Sequence, residues 1–177
     1  METFDCAAIA LPACLAVLRR LGPDDLGRPT PCAEYTVEGV GEHVVRSMVL
    51  LASVAGEQAG DPMAGALDAR VGAVAEAALA AWRRRGLDGS VAVGRSTLPA
   101  GLAAEIIPLE LLVHGWDIAR ATGGDIDVPV EVTAHVLDRA GRLITPDKRG
   151  RSFAAEVVAA PGATILQRLI AFTGRAP

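Results

Sequence analysis

Pro108-Leu-Glu110-Leu-Leu-Val-His114-Gly-Trp116-Asp117 sets a carboxylate and an imidazole four residues apart inside an apolar run. On a helix those two side chains share one face. An ionised Glu flanked by Ile106, Ile107, Leu109, Leu111, Leu112 and Val113 is costly to bury without a positive partner. A divalent cation held also by His114 supplies one. The competing arrangement is a buried, mutually hydrogen-bonded Glu–His pair with no ion. The chain has 3 histidines, so a third ligand could come from His43 or His135. Glu131-Val-Thr-Ala-His135 repeats the four-residue spacing, yet its neighbours Asp125, Asp127, Asp138 and Arg139 are charged. That pair reads as solvated surface. His43 alone reads equally well as an ordinary histidine at a core edge.

The elements that must carry these residues are helical. Hydrophobic residues make up 51% of the chain and aromatics only 3%, so the core has to be built from Ala, Leu, Val and Ile at close helix–helix spacing. A first helix is expected over about Phe4–Leu21, with Leu11, Leu15 and Leu18 on one stripe and Pro12 as a kink or the start of its firmer part. Thr36 is a suitable N-cap for a second helix whose Val37, Val40, Val44, Met48 and Leu51 recur at helical period, with His43 at the stripe's edge. Residues 56–62 read as a loop. A third helix follows over Ala64–Arg85, its Arg83, Arg84 and Arg85 matched to the negative end of the dipole before Gly86. The stretch from Leu87 to Pro99 is a connector in which Val91-Ala-Val93 forms a minor strand. A fourth helix over about Leu102–Ala121 is apolar nearly all round and should be the most buried, ending at Gly123-Gly124. A fifth runs over Pro129–Leu143, a basic loop covers 147–151, and a last short helix spans Ala163–Phe172.

The expected class is all-α: a four-helix bundle over about 1–123 and a small C-terminal extension over about 124–177, one domain in 177 residues. Bundles of this kind build metal sites from inward side chains on facing helices. Formal charge is −4, and no Lys/Arg cluster is interleaved with aromatics, which argues against a nucleic-acid partner. No apolar stretch reaches membrane-spanning length and the start lacks a basic flank, so a soluble, cytoplasmic protein is expected. Cys6, Cys14 and Cys32 have no CxxC spacing, which argues against a disulfide framework or a cysteine zinc site. Cys6 and Cys14 read as small buried hydrophobes. Cys32, in the turn Pro29-Thr-Pro-Cys32, is a candidate reactive thiol with no evident activating base. No Ser-His-Asp arrangement or phosphate-cradling glycine loop competes with the metal reading.

Two segments carry a family resemblance. Thr30-Pro-Cys-Ala-Glu-Tyr35-Thr-Val, followed by Gly41-Glu-His43, and Glu110-Leu-Leu-Val-His114-Gly-Trp-Asp117-Ile-Ala-Arg120-Ala-Thr-Gly123 resemble signatures of the DinB-like metal-binding superfamily. More narrowly, they resemble the actinobacterial branch that includes mycothiol-dependent maleylpyruvate isomerase. The tail Gln167-Arg-Leu-Ile-Ala-Phe-Thr-Gly174-Arg175 fits the same branch.

The resemblance implies a DinB-like bundle and a metal set of His43, Glu110 and His114, leaving His135 out. Two imidazoles and a carboxylate suit zinc first, with nickel or another divalent ion as alternatives, and leave a coordination position open. In the isomerase-like relatives that position takes the sulfur of a low-molecular-weight thiol, mycothiol or bacillithiol. Asp117, one turn beyond His114, is placed to hold a ligand imidazole by a hydrogen bond, with a surface or capping role as the alternative. Arg120 is a candidate partner for a substrate carboxylate. The isomerase carries an additional C-terminal domain, so its substrate is not carried over. The leading functional expectation is a thiol-dependent transferase or isomerase acting on a small electrophile. The alternatives are a non-catalytic, metal-stabilised interaction module and a metal-dependent hydrolase, and the resemblance leans towards a homodimer.

Overall fold

A computed structural model of the chain describes residues 2–58, 60, 64–150 and 153–177. Its helices are α1 (Thr3–Leu18), α2 (Val37–Val54), α3 (Leu67–Arg85), α4 (Ala100–Ala104), α5 (Ile106–Ala121), α6 (Val130–Leu143) and α7 (Ile165–Phe172). An antiparallel hairpin of β1 (Ser90–Val93) and β2 (Ser96–Pro99) interrupts them, with Val91 opposite Leu98 and Val93 opposite Ser96. The chain is therefore all-α with a minor strand pair, as its composition and patterning indicate. Among the described residues, no helix is long and apolar enough to cross a membrane.

Helix α1 packs against α3 and α5, and α2 packs against the same two, so the four close into a ring around one core. Helix α6 lies against α1 and α5, and α7 covers α6. The stripe Val37, Val40, Val44, Met48 and Leu51 is buried along its whole length. Small residues let the helices approach closely: a Cβ on Gly41 of α2 would run into the Leu67 side chain of α3. At the other end of this pair, buried Trp82 donates its indole N–H to the Leu51 carbonyl at 2.9 Å. The indole thereby adds a second donor to a carbonyl near the end of α2 that also accepts the Ala55 N–H at 3.2 Å.

Several boundaries depart from the sequence expectation for local reasons. Pro12 lies inside α1 without ending it, since Pro12 and Ala8 are both exposed and water can replace the lost backbone bond. Helix α1 stops at Leu18, short of Leu21, and α3 begins at Leu67 rather than Ala64. The expected single helix over 102–121 is two, broken at Glu105. Pro108 explains the break: it has no N–H for the carbonyl four residues back, and in α5 it takes the third position, where no intrahelical donor is needed. Gly123, at φ 75°, ends α5 as expected. Parts of the expected loop at 56–62 and of the basic loop at 147–151 lie outside the described residues, Arg151 among them. Pro146–Lys148 form a single 3-10 turn that runs into the latter.

Candidate metal centre

Helix α2 begins where Thr36 Oγ1 accepts the Gly39 N–H at 3.2 Å, the cap expected for it. Two turns into α2, His43 faces α5, where Glu110 and His114 stand one helical turn apart. His43 Nε2 is 3.1 Å from Glu110 Oε2, and His114 Nε2 is 3.7 Å from the same oxygen. The two imidazole rings meet edge to face with centroids 4.8 Å apart. One ligand atom from each of His43, Glu110 and His114 lies within 4.8 Å of the others. Ser47, one turn beyond His43, brings its hydroxyl to 3.4 Å from His43 Nε2.

The electrostatics favour a bound cation. Burial pushes the Glu110 carboxyl up, but the hydrogen bond with His43 and the neighbouring imidazoles outweigh it and hold the pKa at about 2. Glu110 therefore presents a full negative charge at any working pH. Behind His114, fully buried Asp117 accepts from Nδ1 at 2.9 Å. With Nδ1 engaged by Asp117, His114 turns its Nε2 towards Glu110. Arg175 locks Asp117 in turn, donating from Nε to Oδ1 at 2.7 Å and from Nη2 to Oδ2 at 2.9 Å. Arg175 ends the tail Thr173-Gly174-Arg175, which carries no periodic signal of this role. Gly174 makes the approach possible: its φ is 91°, and a Cβ would sit 2.7 Å from Ala154 Cβ and 2.9 Å from its carbonyl oxygen.

The cluster lines a cavity of about 450 Å³. Tyr35, whose ring centroid is 5.6 Å from that of His43, and Cys32 form one wall. Thr30 folds this wall back, donating its hydroxyl to the Tyr35 carbonyl at 2.9 Å while accepting the Cys32 N–H at 3.2 Å. Leu50, Val113 and Phe153 supply apolar surface. Cys32 is thus beside the site, and its Sγ could also group with His114 and Asp117. Its thiol is not activated: burial pushes its pKa up, Arg175 pulls it partly back, and Asp117, Glu110 and Glu34 raise it again. Burial drives Cys6 and Cys14 further, each to about 12. In the native protein Ellman's reagent should therefore titrate Cys32 slowly, and Cys6 and Cys14 should react only after denaturation.

Two other sequence candidates sit elsewhere. Arg120 is exposed, with its guanidinium 5.8 Å from the Trp116 ring centre, and is not among the cavity-lining residues. His135 is not the solvated partner of Glu131. It is turned inwards and holds both oxygens of buried Glu105, at 2.9 and 3.0 Å, while Thr3 Oγ1 donates to the same carboxylate at 2.7 Å. On α6, Glu131 and Asp138 are exposed, while His135 and, one turn on, Arg139, whose Nε is 3.5 Å from Glu105 Oε1, lie on the side facing the break between α4 and α5.

No solved structure matches the chain. Two uncharacterized proteins of Mycobacterium tuberculosis, one from each of two strains, are each 29% identical over 170 residues, covering 94% of this chain and 93% of theirs. The family described as the mycothiol maleylpyruvate isomerase N-terminal domain matches residues 8–119, a span that holds His43, Glu110, His114 and Asp117. With more than half of its length matched, including both helices that carry the cluster, the chain belongs to the mycothiol maleylpyruvate isomerase N-terminal domain family.

Proposed function

We propose that this protein binds one divalent ion, zinc first, through His43, Glu110 and His114, and uses it with a low-molecular-weight thiol, mycothiol or bacillithiol, to transfer or isomerise a small electrophile. The observation that carries this reading is the convergence of three donor atoms within 4.8 Å on the wall of an open cavity of about 450 Å³. The donor set fits the ion: an ionised carboxylate offsets its charge, two imidazoles give borderline-soft nitrogens, and only three protein ligands leave room for an exogenous one. When bound, such an ion supplies Lewis acidity that makes thiolate available near neutral pH.

The chain's own residues prepare the place. Asp117 keeps the His114 ring turned and its Nδ1 protonated, and Arg175 keeps Asp117 from swinging away. Leu50, Leu51 and Val113 shed water from one side of the cavity, which strengthens charge interactions inside it. Cys32 stays protonated near neutral pH and so does not compete with an incoming thiol.

The non-catalytic reading draws on one observation of its own. His43 and Glu110 already satisfy each other at 3.1 Å without an ion. Titration of the cobalt-substituted protein with mycothiol separates the two. The proposal expects a sulfur-to-metal charge-transfer band that saturates at one thiol per chain. Retention of cobalt with no such band would support the non-catalytic module.

A further inference from the structure

The cavity that holds the histidine–glutamate cluster does not end at its apolar wall. Val93, Ile106 and Phe153 line it on one side and line a second cavity of about 470 Å³ on the other. The hairpin β1–β2 contributes Val93, Arg95 and Leu98 to this second space, and the turn after α6 contributes Asp147 and Lys148. The two cavities thus adjoin across an apolar waist, with the metal-ligand cluster at one end and two cations at the other.

The polar end has a definite character. Arg95 stands exposed at the hairpin tip, where its guanidinium keeps its flat, five-donor edge for a ligand. The Lys148 ammonium donates to the Leu143 carbonyl at 2.6 Å, which ties it to the end of α6 and leaves two further donors. Among the described lining residues Asp147 is the one acidic side chain, and it has an interaction of its own. The end therefore carries a net positive charge beside hydrocarbon.

We infer that the two cavities form one elongated ligand groove, and that it selects molecules whose reactive end reaches the His43–Glu110–His114 cluster while an anionic headgroup, carboxylate or phosphonate-like, meets Arg95 and Lys148. The inference rests on the proposed thiol-binding reading of the cluster and adds the substrate class to it. A six-carbon chain serves as the body of the probes. Neutral molecules of the same length lose the far contact and bind more weakly.

Calorimetric titration with 6-mercaptohexanoate, 6-mercaptohexylphosphonate and 6-mercaptohexanol tests this, with the cobalt charge-transfer band followed in parallel. At least one anionic probe should bind about tenfold more tightly than the alcohol, a size expected for two partly exposed charge-assisted contacts. The tighter of the two identifies the headgroup class. The preference should shrink as salt rises. Arg95→Gln should remove most of it while leaving the alcohol's affinity unchanged, and Arg95→Lys should restore part of it. Equal affinities for all three probes, or a preference untouched by Arg95→Gln, would overturn the inference. An anion preference seen by heat with no charge-transfer band would keep the groove and reject the thiol reading of the metal end. No binding of any probe would reject both.

Discussion

Glu110→Gln is expected to weaken divalent-ion binding at the proposed site about a hundredfold while leaving the bundle folded. Gln keeps the length and shape of the side chain but removes the charge that offsets a divalent cation. Structural zinc sites draw about 10–16 kcal/mol from four ligands. Losing one of them is roughly 3 kcal/mol, so metal affinity should fall on the order of a hundredfold. A competition titration against a chromogenic chelator measures it. A second readout comes from the metal-free protein. The folded-state pKa of Glu110 is about 2 against an ordinary 4.5, a depressed value. Its stabilising contribution is therefore fully present above about pH 4.5 and is lost as pH falls towards 2. Thermal melts of the metal-free wild type should show that acid limb, and Glu110→Gln should lack it. A variant that keeps wild-type affinity would remove Glu110 from the ligand set.

Asp117→Asn carries the second largest effect because it acts on two partners at once. The carboxylate is fully buried, accepts from His114 Nδ1 at 2.9 Å and takes two hydrogen bonds from Arg175. An amide can accept with only one of its two atoms. His114 then loses its fixed orientation, and metal affinity should drop about 10–100-fold. Arg175, with a side chain only 10% exposed, is left without its counter-charge. Breaking a buried pair on one side typically costs about 3–5 kcal/mol, and urea denaturation should show a loss of that order. The double variant Asp117→Asn with Arg175→Met distinguishes the two effects. Removing the stranded cation should recover much of the stability and none of the metal affinity. Recovery of both would mean that Asp117 serves packing alone.

Much of this architecture was legible in local sequence. The Val37–Leu51 stripe, the Thr36 cap, Gly123 and the Val91–Val93 strand are each set by periodicity, a side-chain hydrogen bond or a backbone angle acting within a few residues. The pairing of Glu110 with His114 is equally local, being one helical turn. The break at Glu105 was also written in the chain, in the missing N–H of Pro108, but an unbroken apolar run conceals it. His135 was misplaced because its close neighbours are charged while its actual partner, Glu105, lies 30 residues away. Arg175 is 58 residues from Asp117 and gives no periodic signal at all. Its traces are the family-like tail that ends in it and the Gly174 before it, whose positive φ the tail needs in order to reach the site. The geometry of the cavity, with Cys32 and Tyr35 on one wall and the hairpin beyond Phe153, depends on contacts of this long-range kind.

The central claim is that His43, Glu110 and His114 together hold a divalent ion. Elemental analysis of protein purified without chelator tests it most directly, with the triple variant His43→Ala, Glu110→Gln, His114→Ala prepared alongside. The account predicts about one divalent ion per wild-type chain and none in the variant. A wild-type protein that stays metal-free, and takes up neither zinc nor cobalt when offered them, would contradict it.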